Sequence, residues 1–102
     1  MDTRSRHLTM DMWLASDLSE ELVEQLKGLV RSKLTVLSET EHRFEPHGLT
    51  AVFILSESHF SIHTYPEERY LSIDCYVCNP RVDLEEIIDA LTVLLNPVHV
   101  HT

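Results

Sequence analysis

The chain has 102 residues, 43% of them hydrophobic and 25% charged, which is the ordinary composition of a single globular domain. Eight lysines and arginines stand against seventeen aspartates and glutamates, and the formal net charge of −9 argues against a nucleic-acid-binding surface. No apolar run reaches the roughly 18 residues that a membrane span requires, and the first residues show no signal peptide. We therefore expect a cytoplasmic protein without nucleic-acid or membrane partners.

The first half of the chain predicts one helix among strands. Residues 6–15, RHLTMDMWLA, alternate polar and apolar side chains and predict a half-buried strand. The following SDLSEELVEQLKGLVRSKL places apolar residues three and four apart, which predicts an amphipathic helix capped by Asp17 or Ser19. Strands are then predicted from LTVLSETEHRF and LTAVFILSE, with Pro46 and Gly48 between them.

The second half continues with strands HFSIHTY and YLSIDCYV, separated at Pro66. A second helix, DLEEIIDALTVLLN, has Asp83 as its cap and ends before Pro97, and VHVH suggests a last edge strand. The order β-α-β-β-β-β-α-β predicts an α+β fold, a two-layer sandwich in which a mainly antiparallel sheet carries two helices on one face. We expect residues 1–102 to form a single domain.

The cysteines and histidines do not predict a metal site. Cys75 and Cys78 are the only cysteines, and a C-x-x-C pair can belong to a zinc site or a redox pair, but no second ligand pair is evident. Residues three apart on a strand point to opposite faces, so the two thiols should not meet. We predict one buried thiol and one functional thiol. The seven histidines show no ligand spacing, and we predict no metal.

Residues 55–67, LSESHFSIHTYPE, carry a concentration of reactive side chains. A serine hydroxyl can attack the carbonyl of the preceding residue, and elimination from the resulting ester converts the serine to dehydroalanine and then to a pyruvoyl group. Such a ketone forms a Schiff base with an amine substrate and accepts electrons during decarboxylation. The Glu57-Ser58 bond is suited to this chemistry, with His63 as the first candidate base. By themselves, however, neighbouring serines and histidines are also typical of a polar strand facing solvent.

The surrounding sequence resembles a known family. HRFEPHGLTAVFILSESHFSIHTYPE, followed by YLSIDCYVC, is similar to the bacterial and archaeal S-adenosylmethionine decarboxylases. In that family a Ser-Glu-Ser-His run precedes an Ile-His-Thr/Ser-aromatic-Pro-Glu run, and an aromatic-x-Cys segment follows. RHLTMDMW also resembles the first strand of the family. The resemblance covers nearly the whole chain and implies a self-processing, pyruvoyl-dependent decarboxylase.

The resemblance implies roles in processing. The chain would cleave itself between Glu57 and Ser58, giving a β chain of residues 1–57 and an α chain of residues 58–102. Ser58 would become the pyruvoyl group, so neither pyridoxal phosphate nor a metal would be needed. His63 would be the processing base.

Two further roles follow from the same resemblance. Thr50 would help to stabilise the intermediate of the acyl shift. Cys78 would protonate the substrate carbon after carbon dioxide leaves. A thiol suits the second role because its unperturbed pKa, near 8.5, keeps it largely protonated at neutral pH.

The resemblance also implies a substrate and an assembly. Phe44 and Tyr65 match positions at which family members place aromatic rings around an adenine, and such rings also attract a sulfonium cation. Glu67 matches an acidic residue that accepts hydrogen bonds from ribose hydroxyls. We therefore expect conversion of S-adenosylmethionine, a cationic amino-acid substrate, to its decarboxylated aminopropyl donor for spermidine synthesis. Relatives also imply a homodimer of αβ units.

Some positions depart from the family pattern and leave alternatives open. Tyr65 stands where many relatives have tryptophan or phenylalanine, Arg69 occupies a loop in which glycine is common, and Asn79-Pro80 replaces the usual glycine after the cysteine. One alternative is a pyruvoyl-dependent decarboxylase of ornithine or arginine on the same scaffold. Another is an unprocessed, non-catalytic homologue that binds a partner enzyme, although the complete set of Ser58, His63 and Cys78 argues against it.

Overall fold

The computed structural model describes residues 5–102, which form six strands and two α-helices. The elements are, in chain order, β1 (Arg6–Leu14), α1 (Glu20–Lys33), β2 (Val36–Arg43), β3 (Leu49–Leu55), β4 (Ser58–Tyr65), a short 3-10 turn (Pro66–Glu68), β5 (Tyr70–Val77), α2 (Leu84–Leu95) and β6 (Pro97–His101). This order confirms the predicted α+β class. Residues 1–4 of the predicted domain lie outside the described residues.

The strands form one sheet in the order β2-β3-β4-β5-β1-β6, and each neighbouring pair is antiparallel. β3 and β4 make a hairpin in which Leu55 faces Ser58 at the turn and Thr50 faces His63 towards the other end. β4 also pairs along its length with β5. β4 is therefore held on both sides, which fixes the positions of the reactive residues that it carries.

The helices cover one face of the sheet, as predicted. Phe60, Ile62 and Thr64 of β4 are buried, whereas the residues between them are only partly buried. The buried side chains of the sheet form a core with the apolar stripes of the two helices, including Leu26 of α1 and Leu91 of α2. Each such aliphatic or aromatic side chain stabilises the fold by about 1.5–3 kcal/mol. The opposite face of the sheet, called the open face below, carries no helix among the described residues.

The helix ends follow the local sequence signals. The Ser19 hydroxyl accepts a hydrogen bond from the Leu22 N–H at 3.1 Å, so Ser19 is the cap of α1 rather than Asp17. The Asp83 carboxylate accepts one from the Glu86 N–H at 3.2 Å and caps α2 as predicted. Neither of these two described helices has the length and apolar character that crossing a membrane would require.

Candidate active site

Ser58 lies at the start of β4, directly after the two-residue turn that joins it to β3. Its hydroxyl oxygen accepts a hydrogen bond from the backbone N–H of Cys78 at 3.0 Å. Cys78 follows the last residue of β5, and the antiparallel pairing of β4 with β5 brings the two residues together although they lie twenty positions apart. The structure thus places the predicted pyruvoyl precursor beside the predicted proton donor.

The bond predicted to be cleaved lies within this turn. Glu57 has a φ of 57°, in the left-handed region, which costs a non-glycine residue about 1–2 kcal/mol. β3 remains paired with β2, and β4 with β5, on either side of the turn. A cut after Glu57 would therefore leave both strands bound within the sheet, and a new chain terminus at Ser58 fits this position.

Ser58 and Cys78 line an open cleft of about 700 Å³ between the end of the sheet and the helices. Lys33 of α1 and Glu86 of α2 also line it, and their side chains form an ion pair at 2.6 Å. The cleft is largely polar, in contrast to the core next to it. It can therefore admit water and small polar molecules to the Ser58 end of β4.

The two thiols differ as predicted. Cys75 is buried in the core, and Cys78 is partly exposed. Burial, with a smaller contribution from the negative charge of Asp74, raises the pKa of the Cys75 thiol to about 11. Cys75 is thus a core residue. Cys78 is the thiol that a reactant can reach, and its role as an acid remains a prediction.

His63 and Thr50 lie opposite each other on β4 and β3, with Nδ1 and Oγ1 2.9 Å apart. If His63 accepts a proton at Nε2, its Nδ1 must carry the other ring hydrogen and donate it to Thr50. The Thr50 hydroxyl then keeps its own hydrogen for another acceptor. The pair can therefore supply a base and a hydrogen-bond donor side by side, the two functions that an acyl shift requires.

The predicted aromatic residues lie at this same end of β4. Phe44 and Tyr65 line a cavity of about 440 Å³ together with Thr50 and His63. Their side chains are 50% and 43% exposed, so neither belongs to the core. The ring of Tyr65 stacks on that of Tyr70 with centroids 5.2 Å apart. Two partly exposed aromatic rings therefore line this cavity, and a planar ligand could contact them here.

Glu67 lies just beyond β4, on the 3-10 turn. Its carboxylate is 3.4 Å from Nε2 of His47, and His47 lines the cavity that contains Phe44 and Tyr65. Phe44 and Tyr65 thus line this cavity, and Glu67 contacts one of its lining residues, His47. His47 is an addition that the sequence did not indicate.

The structure does not bring all the predicted catalytic residues together within one chain. Ser58 contacts Cys78, and Thr50 contacts His63, but the two pairs lie at different ends of β4. His63 lies five positions after Ser58, which corresponds to about 17 Å along the strand. Within this chain, His63 is therefore too far from the Glu57-Ser58 bond to contact it directly.

A third polar group, not predicted from the sequence, lies on the open face. Asp74 Oδ1 is 2.7 Å from Nε2 of His7 and 3.2 Å from Nε2 of His59. Partial burial raises the pKa of Asp74, but the hydrogen bonds from the two histidines lower it more, and the net pKa lies below its ordinary value. The strand register explains this group. His7 and His59 lie opposite Tyr76 on the two sides of β5, and Asp74, two residues before Tyr76, lies on the same face of the sheet. Within residues 5–102, no group of three or more histidine, cysteine or acidic side chains has the geometry of a metal site.

Comparison with known proteins identifies the family. The family model described as S-adenosylmethionine decarboxylase matches residues 6–102. S-adenosylmethionine decarboxylase proenzyme 2 of Bacillus anthracis is 36% identical over 104 residues, which cover 97% of this chain and 85% of that protein. The proenzyme of Brevibacillus brevis is 39% identical over 100 residues, covering 93% and 75%.

The fold agrees with these sequence matches. The crystal structure of the adenosylmethionine decarboxylase from Aquifex aeolicus superimposes with a TM-score of 0.81 at 31% identity, covering 99% of this chain and 88% of that one. The prediction made from the Ser-Glu-Ser-His motif is thereby confirmed. With a family model, curated relatives and a solved structure in agreement over almost its whole length, the chain belongs to the S-adenosylmethionine decarboxylase family.

Proposed function

We propose that this protein is a self-processing, pyruvoyl-dependent decarboxylase that converts S-adenosylmethionine to its decarboxylated aminopropyl donor. The observation that carries the proposal is the contact between Ser58 and Cys78, which lies next to the Glu57-Ser58 turn in a chain whose relatives are named proenzymes. A cytoplasmic location and the absence of pyridoxal phosphate and metal are parts of the same proposal.

The chain's own residues perform the processing. Ser58 Oγ bonds to the Glu57 carbonyl carbon, and the Glu57–Ser58 C–N bond breaks, which leaves an ester and a free amine. Loss of the Ser58 α-proton expels the Glu57 carboxylate and gives dehydroalanine. Its imine form takes up water and releases ammonia, and the pyruvoyl group remains at the start of residues 58–102. Thr50 donates to the oxygen that becomes negative in the first step, and His63 removes protons.

The pyruvoyl group supplies a ketone that binds the substrate amine and withdraws electrons as carbon dioxide leaves. Cys78 is held beside the position of Ser58 by its own backbone N–H, which donates to Oγ at 3.0 Å. Cys78 and Ser58 line the same cleft, and in this proposal the Cys78 thiol donates the proton to the substrate carbon there. Phe44 and Tyr65 hold the adenine, and Glu67 accepts hydrogen bonds from the ribose.

We further propose that the active unit is a homodimer whose site contains residues of both chains. The distance of about 17 Å along β4 between Ser58 and His63 supports this, since a strand paired on both sides cannot shorten. In a dimer with twofold symmetry, the Ser58 end of one chain can meet the His63 end of the other, which makes two equal sites. The open face is the candidate interface, because it exposes Trp13, Ile54 and Tyr65.

Co-expression of two variants tests this arrangement. Ser58→Ala and His63→Ala chains, each with its own affinity tag, should both remain intact when expressed alone. In a mixed dimer, Ser58 of the His63→Ala chain meets His63 of the Ser58→Ala chain. Random pairing should then allow cleavage of up to about half of the His63→Ala chains. Isolated mixed dimers without cleaved chain would contradict the shared site.

The substrate is tested separately from processing. Processed protein is incubated with S-adenosylmethionine, ornithine or arginine, and carbon dioxide and amine product are measured. We expect release from S-adenosylmethionine alone. Carbon dioxide release only from ornithine or arginine would show that the substrate assignment is wrong, while the pyruvoyl-dependent mechanism would still hold. Complete processing with no release from any of the three would indicate a different amino acid as substrate, whereas a chain that stays intact would favour the unprocessed, non-catalytic alternative. The names of the relatives support the first outcome.

A further inference from the structure

Arg6, the first residue of β1, contacts the loop that follows Cys78. Its Nη2 donates one hydrogen bond to the Asn79 carbonyl at 2.9 Å and another to the Val82 carbonyl at 2.8 Å. The two carbonyls flank the turn between β5 and α2. One guanidinium therefore holds both sides of this turn, although it lies more than seventy positions away in the sequence.

The loop is also closed by its own hydrogen bonds. The Val82 N–H donates to the Asn79 carbonyl at 3.1 Å, and the Arg81 N–H donates to the Asn79 side-chain oxygen at 2.9 Å. Pro80 between them has a fixed φ and no N–H of its own. Asn79 thus connects the loop to Arg6, and the residue before it, Cys78, donates to Ser58.

We propose that Arg6 is a positioning residue that fixes the orientation of Cys78 relative to Ser58. The inference rests on the proposed function, in which Cys78 delivers a proton at the position of Ser58. A hydrogen bond from a charged guanidinium is stronger than a neutral one, and here two of them act on the segment that begins with Cys78. After cleavage, Arg6 belongs to residues 1–57 and the loop to residues 58–102, so the contact also joins the two products.

Thiol labelling provides a readout that does not depend on activity. The Arg6→Met variant keeps a long apolar stem and loses both hydrogen bonds, and Arg6→Lys keeps a charge and donors. Iodoacetamide labelling is followed by peptide mass in the His63→Ala background, which is expected to stay uncleaved when expressed alone and keeps the Ser58 hydroxyl that binds the Cys78 N–H. Cys75 is the internal control, because it is buried and its pKa is raised to about 11. Its labelling reports only global unfolding.

We expect Arg6→Met to raise the labelling rate of Cys78 by about fivefold or more, the effect of losing roughly 1 kcal/mol of local stability. Arg6→Lys should restore part of the original rate, and Cys75 should stay unlabelled. The matched control is Arg31→Met, which loses two hydrogen bonds to Glu39 of β2. Arg31 does not line the cleft that contains Cys78, so this variant should leave the Cys78 labelling rate unchanged. An unchanged Cys78 rate in Arg6→Met, or an equal change in Arg31→Met, would overturn the positioning role.

Kinetics of the processed variant complete the test. Arg6→Met should lower kcat for S-adenosylmethionine at least several-fold with little change in KM, because Arg6 does not line the cavity with Phe44 and Tyr65. An unchanged kcat despite faster labelling would show that the loop contact has no role in turnover, and would overturn the inference. Failure of the wild-type chain to process would instead refute the proposed function, and the labelling result would still stand.

Discussion

The two ends of β4 are built differently. At the Ser58 end, backbone groups hold the reactive residues: a tight turn precedes Ser58, and the Cys78 N–H binds its hydroxyl. At the His63 end, side chains contact one another around an open cavity with exposed aromatic rings. The first end suits a chemical step that needs a fixed geometry. The second suits recognition of a ligand, and it also carries the base that the first end lacks.

The separation of these two ends is the basis of the proposed site shared between two chains. A strand paired on both sides behaves as a rigid spacer, so no local rearrangement can bring His63 to the Glu57-Ser58 bond. The open face, lined by polar and aromatic side chains, provides a surface on which two chains can pair in opposite directions. Each substitution below acts on one end of β4, or on the strand between the ends.

The largest effect is expected at the Ser58 end. Ser58→Ala removes the nucleophile, and we expect neither cleavage nor release of carbon dioxide. Intact mass should show the full-length chain only. The wild type should give two fragments, with the C-terminal one lighter than a serine-initiated peptide by the elements of ammonia.

Ser61→Ala is the matched control for this substitution, since it removes a hydroxyl from the same strand but away from the turn. It should process normally. Fragments of the expected masses from Ser58→Ala would remove the nucleophile role from this residue.

A substitution of Cys78, at the same end, is expected to have a smaller effect and to distinguish self-cleavage from turnover. Cys78→Ala keeps the backbone N–H that binds Ser58, so we expect cleavage to continue. Turnover should fall by about 100-fold, a typical contribution of a general acid. Cleavage is measured by mass and turnover by release of carbon dioxide.

Cys75→Ala is the matched control for the thiol. It creates a small cavity in the core and should lower stability while leaving turnover of the folded protein unchanged. If Cys78→Ala matured and kept full activity, Cys78 would not be the proton donor.

The sequence predicted most of the fold because its local signals agree with the packing. Buried and partly exposed side chains alternate in β4 and β5 because one face of the sheet is covered. Ser19 and Asp83 cap the helices because their side-chain oxygens accept hydrogen bonds from the backbone N–H groups of the first turn. The Ser58-to-Cys78 contact could not be read from spacing, since it depends on the register of two strands joined by a 3-10 turn. The family resemblance predicted only that Ser58 and Cys78 act in the same site.

Other features of the site could not be predicted from the sequence. The contact of Arg6 with the loop after Cys78 joins residues distant in the chain, and the left-handed φ of Glu57 occurs at a residue type that rarely adopts it. His63 was predicted as the base because it is near Ser58 in sequence. Strand geometry alone separates the two by about 17 Å, so proximity in sequence was not proximity in space.

At the His63 end, Glu67 is expected to act in substrate recognition and not in cleavage. Glu67→Gln keeps the size of the side chain and removes its charge, so kcat/KM for S-adenosylmethionine should fall by an amount equivalent to about 1–3 kcal/mol. Processing should be unaffected. Glu68→Gln, on the same turn, is the matched control. An equal loss in both variants, or none in Glu67→Gln, would remove Glu67 from the ribose site.

The smallest effect is expected between the two ends. Asp74 lies opposite Ser61, midway along β4, and is the common partner of His7 and His59 on the open face. The folded protein lowers the pKa of Asp74. The ionised carboxylate therefore stabilises the fold at pH values above the pKa of the unfolded state. That stabilisation is lost as the pH falls through the lower pKa of the folded state. The side chain is 39% exposed, so solvent screening limits the contribution to about 0.5–1 kcal/mol.

Urea unfolding of the Ser58→Ala protein with and without Asp74→Asn measures this contribution. The two proteins should differ by about 0.5–1 kcal/mol at pH 7 and converge at acid pH, as Asp74 takes up its proton. Asp89→Asn, on the exposed side of α2, should cause no such pH-dependent difference. With Ser58 restored, Asp74→Asn should still process, because it touches neither end of β4. A block in processing would mean that Asp74, beside the middle of β4, helps to align the two chains for cleavage.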